Sequence, residues 1–349
     1  MVENCKVYNL ESFTDEGRIN MENHKLIVVG DIHLQLSEPK KSQCLDFLNW
    51  LFNQDFNNEN NSLLFLGDLC EINSPFELFG VFVDYFTNKS KFEKIYLLQG
   101  NHDLANQSTI LSLFRPLPNI EVITEWKTLK FYNCNLIMLP HFNHESTDKK
   151  SMIETYSNLH NEIDYEFDYG FGHIEDQTQH FSKKYPDTSK LKVKQWMNGH
   201  VHTPTIQNGG NYLGSATLNS STEHGNTKYL AIIDGETKEY ELKEIPKFME
   251  YYTVEYPNKL EKPKTKYAIF TVKGVLDKNT ALEEYSKQAK EMGFEFYTNK
   301  VLKQRVTEVE IDDVEKSEKP TFERFAKSVG LSDEVFDICN EVIRLKSEE

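Results

Sequence analysis

A chain of 349 residues exceeds a typical single domain, and a hydrophobic content of 38% is ample for a core at that length. A net charge of −16, with a pI near 5.2, excludes a protein that coats nucleic acid by charge alone. It does not exclude an enzyme of nucleic acid whose positive charge arrives as bound metal. No apolar run is long enough to cross a bilayer. The five cysteines form no Cys-x-x-Cys pair, which argues against a disulfide framework or thiolate zinc site and for a reducing cytoplasm.

Residues 1–24 are polar and read as a surface extension, too acidic at Glu3, Glu11, Asp15 and Glu16 for a transit peptide. Strand and helix then alternate. Leu26-Ile27-Val28-Val29 reads as a buried strand. Pro39 opens a helix whose Cys44, Leu45, Leu48, Leu51 and Phe52 recur at helical spacing. Leu63 to Leu66 is a second strand. Pro75 starts a second helix with Leu78, Phe79, Phe82, Tyr85 and Phe86 along one face, and Ile95 to Leu98 a third strand. This β-α-β-α-β order predicts stacked layers of sheet and helix. Strands follow at 121–123, 129–132 and 136–139, with a helix at 149–160. Further strands are predicted before His173, before His200, and at 211–213, 229–233 and 239–242, closing a catalytic domain over 25–246. Beyond it, a strand at 267–272, a helix at 280–292 and a strand at 306–311 make a small domain over 247–312. An acidic linker and two amphipathic helices, carrying Phe322, Phe325, Phe336 and Val342, fill 313–349.

Five of these strands end in the same way. The turns are Gly30-Asp31-Ile32-His33, Gly67-Asp68, Gly100-Asn101-His102-Asp103, Gly172-His173 and Gly199-His200-Val201-His202. In open α/β sheets, sites lie beyond the carboxyl ends of the strands, so five turns of this kind are expected to converge on one rim. Together they offer Asp31, His33, Asp68, Asn101, His102, His173, His200 and His202. These are carboxylates, imidazoles and an amide oxygen without a thiolate, a set suited to manganese, iron or zinc. There are too many donors for one ion and enough for two, the arrangement that clamps both oxygens of a phosphoryl displacement. A bridging ligand between two dications must be anionic, and Asp68 is placed for that role. His102, beside a ligand and titrating near neutrality, is the candidate acid for the departing oxygen. His141 follows a strand end and lies near the rim by sequence. His24, His144, His160, His180 and His224 read as ordinary surface or core histidines. Lys183, Lys184, Lys190, Lys192 and Lys194 lie between two ligand turns and are candidate contacts for substrate phosphates. The 76–86 aromatic stripe reads as core before interface.

These five turns, in this order, resemble the motifs of the calcineurin-like metallophosphoesterases. The resemblance implies a four-layer α/β sandwich with two divalent ions, manganese first, with iron, zinc or magnesium as alternatives. Asp31, His33, Asp68 and His202 would hold one ion; Asp68, Asn101, His173 and His200 the other. His102 would be the acid and Asp103 its support. Within that superfamily the chain is similar to SbcD-type DNA-repair and recombination nucleases, including those of large bacteriophages. The features carrying this are Gly67-Asp68-Leu69 with an acid at Glu71, Tyr212-Leu213-Gly214-Ser215, the small strand-helix-strand domain and the terminal helices. Cys70 departs from the aromatic usual there. The resemblance implies a small α+β domain capping the site and tail helices docking an SbcC-type coiled-coil ATPase. It also implies a homodimer within a heterotetramer acting on DNA in the cytoplasm of the cell, or of the host if the protein is phage-encoded, without a membrane. The 76–86 stripe is one candidate dimer surface. Three alternatives stand beside the nuclease: a protein phosphatase, disfavoured because Cys70-Glu71-Ile72-Asn73 lacks the Asp-Arg pair of that group; a small-nucleotide phosphodiesterase; and a metal-free scaffold, disfavoured because every ligand position is filled.

Overall fold

The structure, a computed structural model, describes residues 24–71, 76–105, 108–141, 149–176, 185–275 and 277–303. The predicted extension up to residue 23, the strand at 306–311 and both tail helices lie outside the described residues, as do Lys183 and Lys184.

Two sheets face each other. The first contains β1 (Lys25–Val29), β2 (Ser62–Phe65), β3 (Lys94–Leu98), β6 (Ile120–Ile123), β11 (Lys228–Asp234) and β12 (Tyr240–Ile245), in the order β12-β11-β1-β2-β3-β6. Its β1, β2, β3 and β6 run parallel, in register from Val29 opposite Phe65 to Phe65 opposite Leu97. The second sheet has the order β10-β9-β8-β7, from β7 (Lys127–Phe131), β8 (Cys134–Leu139), β9 (Phe167–Gly172) and β10 (Val193–Asn198), with β8, β9 and β10 parallel. A two-residue pair, β4 (Leu104–Ala105) and β5 (Ser108–Thr109), follows the third turn.

Strands buried on both faces need near-continuous apolar runs, and β1 and β2 have them after their first residues, Lys25 and Ser62. Leu26, Val28, Leu64 and Leu66 point between the sheets, against Leu136, Met138, Phe171 and Met197. Ile27, Val29, Leu63 and Phe65 point the other way, under α1 (Lys40–Phe52) and α2 (Phe76–Asp84). On the far side of the second sheet, Ile137, Leu139, Phe167 and Trp196 pack with Tyr156 and Leu159, borne by α3 (Lys149–Asn158) and the turn after it. The result is the predicted four-layer α-β-β-α sandwich.

The 76–86 stripe belongs to this core. Leu78, Phe79, Phe82 and Phe86 are buried against Phe65 and Phe114. The amphipathic face of a surface helix turns towards its own sheet first. The predicted strand at 211–213 reduces to an isolated bridge from Tyr212 to Asn198.

The sandwich's last strand ends at Ile245. A small parallel sheet then forms from β13 (Met249–Glu255), β14 (Tyr267–Val275) and β15 (Tyr297–Lys303), in the order β13-β14-β15, covered by α4 (Lys278–Glu291). Two strands of this sheet, β13 and the polar β15, lie outside the strands that the sequence predicts. Asp277 caps α4 by accepting from the amides of Asn279 and Thr280. Phe270, Val272, Ala281, Tyr285 and Ala289 make its core. Sandwich and small sheet belong to one compact unit running to Lys303. Leu218 packs with Met249, Tyr251 and Ile269, and Lys266 reaches Asp46 of α1 at 2.6 Å.

Candidate metal centre

The five turns leave the carboxyl ends of β1, β2, β3, β9 and β10 and meet. Asp31, His33, Asp68 and His173 are almost wholly buried, and Asn101, His102, His200 and His202 are half-buried. Bringing them together demands unusual backbone. His33, Asp68 and His200 have φ of 52°, 48° and 73°, in the left-handed region that side chains rarely adopt and that clusters at functional sites. The glycines beside them have no room to be anything else. A Cβ on Gly67, itself at φ 105°, would lie 2.5 Å from His173 Nδ1, and one on Gly199 would lie 2.4 Å from Asp31 Oδ1.

Two donor groups result. In the first, His33 Nε2 and His202 Nε2 face each other at 3.0 Å, with Asp31 Oδ2 3.7 Å from His202 Nε2. In the second, Asn101 Oδ1 lies 2.9 Å from both His173 Nε2 and His200 Nδ1, and Asp68 Oδ2 is 3.2 Å from His173 Nε2. Asp68 Oδ2 is also 3.6 Å from His33 Nε2, so this carboxylate stands between the groups, as a bridging ligand must. Asp31, His33 and His202, and separately Asp68, His173 and His200, each bring ligand atoms within 4.8 Å of one another.

These donors fit divalent metal on their own geometry. Asp31 Oδ1 is a buried carboxylate oxygen with no hydrogen-bond partner, and two imidazole nitrogens converge on one point. The outward nitrogens are held so that the inward ones are free to ligate. His173 Nδ1 is 2.7 Å from the carbonyl of Leu66, His202 Nδ1 3.1 Å from Glu223, and His200 Nε2 3.3 Å from Glu175. The electrostatics also call for cations. Burial alone would push His173 down, but Asp68 and Asp31 beside it drive it up to about 10. Burial works likewise against Asp68, yet His173 and His33 hold its carboxyl well below the usual range. Burial pushes Glu223 up, and His202 and Lys228 overcome it, leaving it at about 2.

His102 stands at the edge of both groups, its ring centroid 4.8 Å from that of His33. The carboxylate that engages it is not the neighbouring Asp103. Asp103 is wholly buried and both its oxygens are taken by backbone amides: Gly100 at 2.8 Å, Asp68 at 2.9 Å and Leu69 at 3.2 Å. It ties the second turn to the third, and burial beside Asp68 raises it to about 7. The partner of His102 is Glu71, whose Oε1 lies 2.6 Å from Nδ1; that contact raises the pKa of His102 against the opposing effect of burial. Glu71 Oε2 is 3.5 Å from His33 Nδ1. The sequence showed Glu71 as an acid three residues after Asp68 but gave no sign of where it points. Glu223 and Glu175 carried no signal of a partner, Glu223 standing in a Ser-rich stretch and Glu175 beside Asp176 just after the fourth turn. His141, its ring centroid 6.1 Å from that of His173 and 6.2 Å from that of His200, does lie beside the second group.

Lys190, Lys192 and Lys194 are elsewhere. Lys192 and Lys194 flank the start of β10, where they meet Asp164 at 2.7 Å and Asp168 at 2.9 Å. Lys190 is exposed just before them. His200 follows the other end of the same strand, about 20 Å from Lys194 at ~3.3 Å per residue. A segment joining two parallel strands must return to their amino ends, so lying between two ligand turns in sequence placed these lysines at the far edge.

A family model described as calcineurin-like phosphoesterase matches residues 24–235, the span that contains all five turns. No curated protein matches the chain. Among solved structures the chain is similar to AQ665 of Aquifex aeolicus, a protein of unknown function, at 13% identity, covering 43% of this chain and 78% of that one with a TM-score of 0.26.

Proposed function

The chain belongs to the calcineurin-like phosphoesterase family, a family of metal-dependent hydrolases, and on that premise we propose that it is a two-metal DNA nuclease of the SbcD type. The observation that carries the hydrolytic part is the pair of donor groups joined by Asp68, with His102 at their edge. Divalent metal bound there would supply a water of lowered pKa and a Lewis acid for the phosphoryl oxygens. Asp31, His33 and His202 would hold one ion, Asn101, His173 and His200 the other, and Asp68 both. Nitrogen and oxygen donors of this kind suit manganese, iron or zinc, and the family resemblance puts manganese first. Glu71 holds His102 through Nδ1, and His102 is the acid that would pass a proton to the departing oxygen. Asp103 acts one step back, fixing the turns that present Asp68 and His102.

DNA as the substrate is supported by three features. The second turn has Cys70-Glu71 where protein phosphatases have their Asp-Arg pair. Every ligand position is filled, unlike a scaffold. An accessory sheet, β13-β14-β15, packs on the segment that leads to Glu223, beside one donor group. An SbcC-type coiled-coil ATPase recruited by 313–349, and assembly as a homodimer within a heterotetramer, complete the proposal. Among the described residues no helix is long and apolar enough to cross a membrane; a cytoplasmic site of action is part of the same proposal.

The test is the purified protein with Mn²⁺ on linear duplex, hairpin and single-stranded DNA, beside bis(p-nitrophenyl) phosphate. Cleavage of DNA that a chelator abolishes is expected. Hydrolysis of the small diester with all three DNAs intact would move the assignment to a small-nucleotide phosphodiesterase, and no hydrolysis of either would end the enzymatic reading.

A further inference from the structure

His202 is held from two sides by a buried polar unit that the hydrolytic reading does not use. Glu223, Lys228 and Ser215 are 2%, 7% and 0% exposed. Oε1 of Glu223 faces His202 Nδ1 at 3.1 Å and accepts from the amide and hydroxyl of Ser220. Its Oε2 accepts from Lys228 Nζ at 2.6 Å and from Ser215 Oγ at 3.1 Å. The same Lys228 ammonium donates to the backbone carbonyl of His202 at 3.0 Å and to Ser215 Oγ at 2.8 Å. Ring and main chain of one residue are thus fixed together. A buried ion pair is a poor source of stability, because apolar residues of similar volume would serve the core as well. What the pair does supply is direction: with Glu223 accepting, Nδ1 carries the proton and Nε2 is left free, facing His33 Nε2 and Asp31.

The turn that bears Glu223 is also the joint with the small sheet. Ser220 caps the short 3-10 turn Ser221–Glu223, Tyr251 of β13 donates to the Asn219 carbonyl at 3.2 Å, and Leu218 packs with Met249, Tyr251 and Ile269. Among the described residues the histidines of the second donor group rest on parts of the sandwich, His173 on the Leu66 carbonyl and His200 on Glu175. We propose that Glu223, backed by Lys228, is the positioning residue of the Asp31–His33–His202 metal position, and that the small sheet sets the affinity of that position alone through Tyr251 and the 218–223 segment. This rests on the metal-dependent reading above.

The experiment is a Mn²⁺ titration followed by electron paramagnetic resonance of the free ion, which counts sites and affinities with no substrate present. The full-length wild type, Glu223→Gln and Tyr251→Phe are compared after circular dichroism has established folding. Glu223→Gln is expected to weaken one of two sites roughly tenfold to a hundredfold and leave the other unchanged. Tyr251→Phe should weaken the same site by a smaller factor. Two sites at wild-type affinity in Glu223→Gln overturn the positioning role, as does equal weakening of both, which is what general loosening of the fold would give. Unchanged constants in Tyr251→Phe overturn the link to the small sheet, and decide the whole inference if Glu223→Gln does not fold. Wild type that binds two ions but cleaves no phosphodiester would remove the hydrolytic reading and leave this one standing. Wild type that binds none removes both.

Discussion

The parallel strands have two ends of opposite character. At the carboxyl ends His33, Asp68 and His200 sit on left-handed backbone, Asp31 Oδ1 is buried without a hydrogen-bond partner, and five histidines crowd three buried carboxylates. At the amino ends Asp168 accepts from the Asn135 amide and from both Lys194 and Lys238, each at 2.9 Å. Left-handed residues occur there too, at Tyr132 and Lys238, but in turns between antiparallel strands, where such backbone is what the geometry requires. Strain and unpaired polar atoms thus mark the working end. Satisfied charge marks the end that only holds the sheet together.

Substitutions at the working end should therefore change chemistry more than stability. The largest effect among the four changes considered is expected for His102→Ala: cleavage falls roughly 10²–10⁴-fold, the usual contribution of a general acid, while two manganese ions still bind. Loss of an ion in the same titration would make His102 a ligand and would falsify its assignment as the acid. Glu71→Gln comes next. With the carboxylate gone, His102 loses the contact that aims it, and a loss of roughly tenfold, about 1.4 kcal/mol of barrier, is expected on DNA. The loss should be smaller on bis(p-nitrophenyl) phosphate, whose departing group needs little protonation. An equal loss on both substrates would place Glu71 in metal binding instead, through its approach to His33.

That Glu71 rather than Asp103 partners His102 shows where sequence reasoning stops. The donor residues were legible because each follows a short apolar run and a glycine, a local pattern that survives without coordinates. The four layers were legible too, since β1 and β2 are apolar after their first residues and α1 and α2 carry one apolar face each. What the sequence could not give was which polar atom a side chain reaches. Asp103 is adjacent to His102 in the chain, yet three amides of two turns claim its carboxylate. Glu223 is 21 residues from His202 in a Ser-rich stretch, and only folding of the 215–228 segment brings it there. Lys190, Lys192 and Lys194 lie away from the donor groups for a topological reason, since a crossover between parallel strands starts at the site and ends away from it.

At the quiet end, Asp168→Asn should leave the rate of cleavage unchanged and lower stability by about 1 kcal/mol, the scale of hydrogen bonds to a charged group discounted because Lys194 and Lys238 remain well exposed to solvent. Burial favours the protonated form, but the Asn135 amide and the two ammonium groups prevail and hold Asp168 at about 2, below the usual 3.8. A carboxyl depressed on folding stabilises fully above its unfolded pKa and loses that contribution as pH falls through the folded one. The gap between wild type and Asp168→Asn in chemical denaturation should thus be constant above about pH 5 and close towards pH 2. A gap that widened in acid would mean the carboxylate is not held low.

The smallest effect is expected for Lys192→Ala, and it is the sharpest test of the division between the ends. Lys192 pairs with Asp164, both well exposed, and exposed pairs of this kind add little to a fold. Its distance from His200 along β10 also removes it from any phosphate at the reacting position. A duplex is long, however, and a basic residue remote from the metals could still grip its backbone. The two cases separate with salt. If Lys192 is only a surface ion pair, the variant cleaves short and long duplexes like the wild type, with the same dependence of the rate on ionic strength. If it contacts phosphate, binding weakens on long duplex alone and the salt slope falls by about one. The second outcome would extend the working surface to the amino ends of the strands and undo the contrast between them.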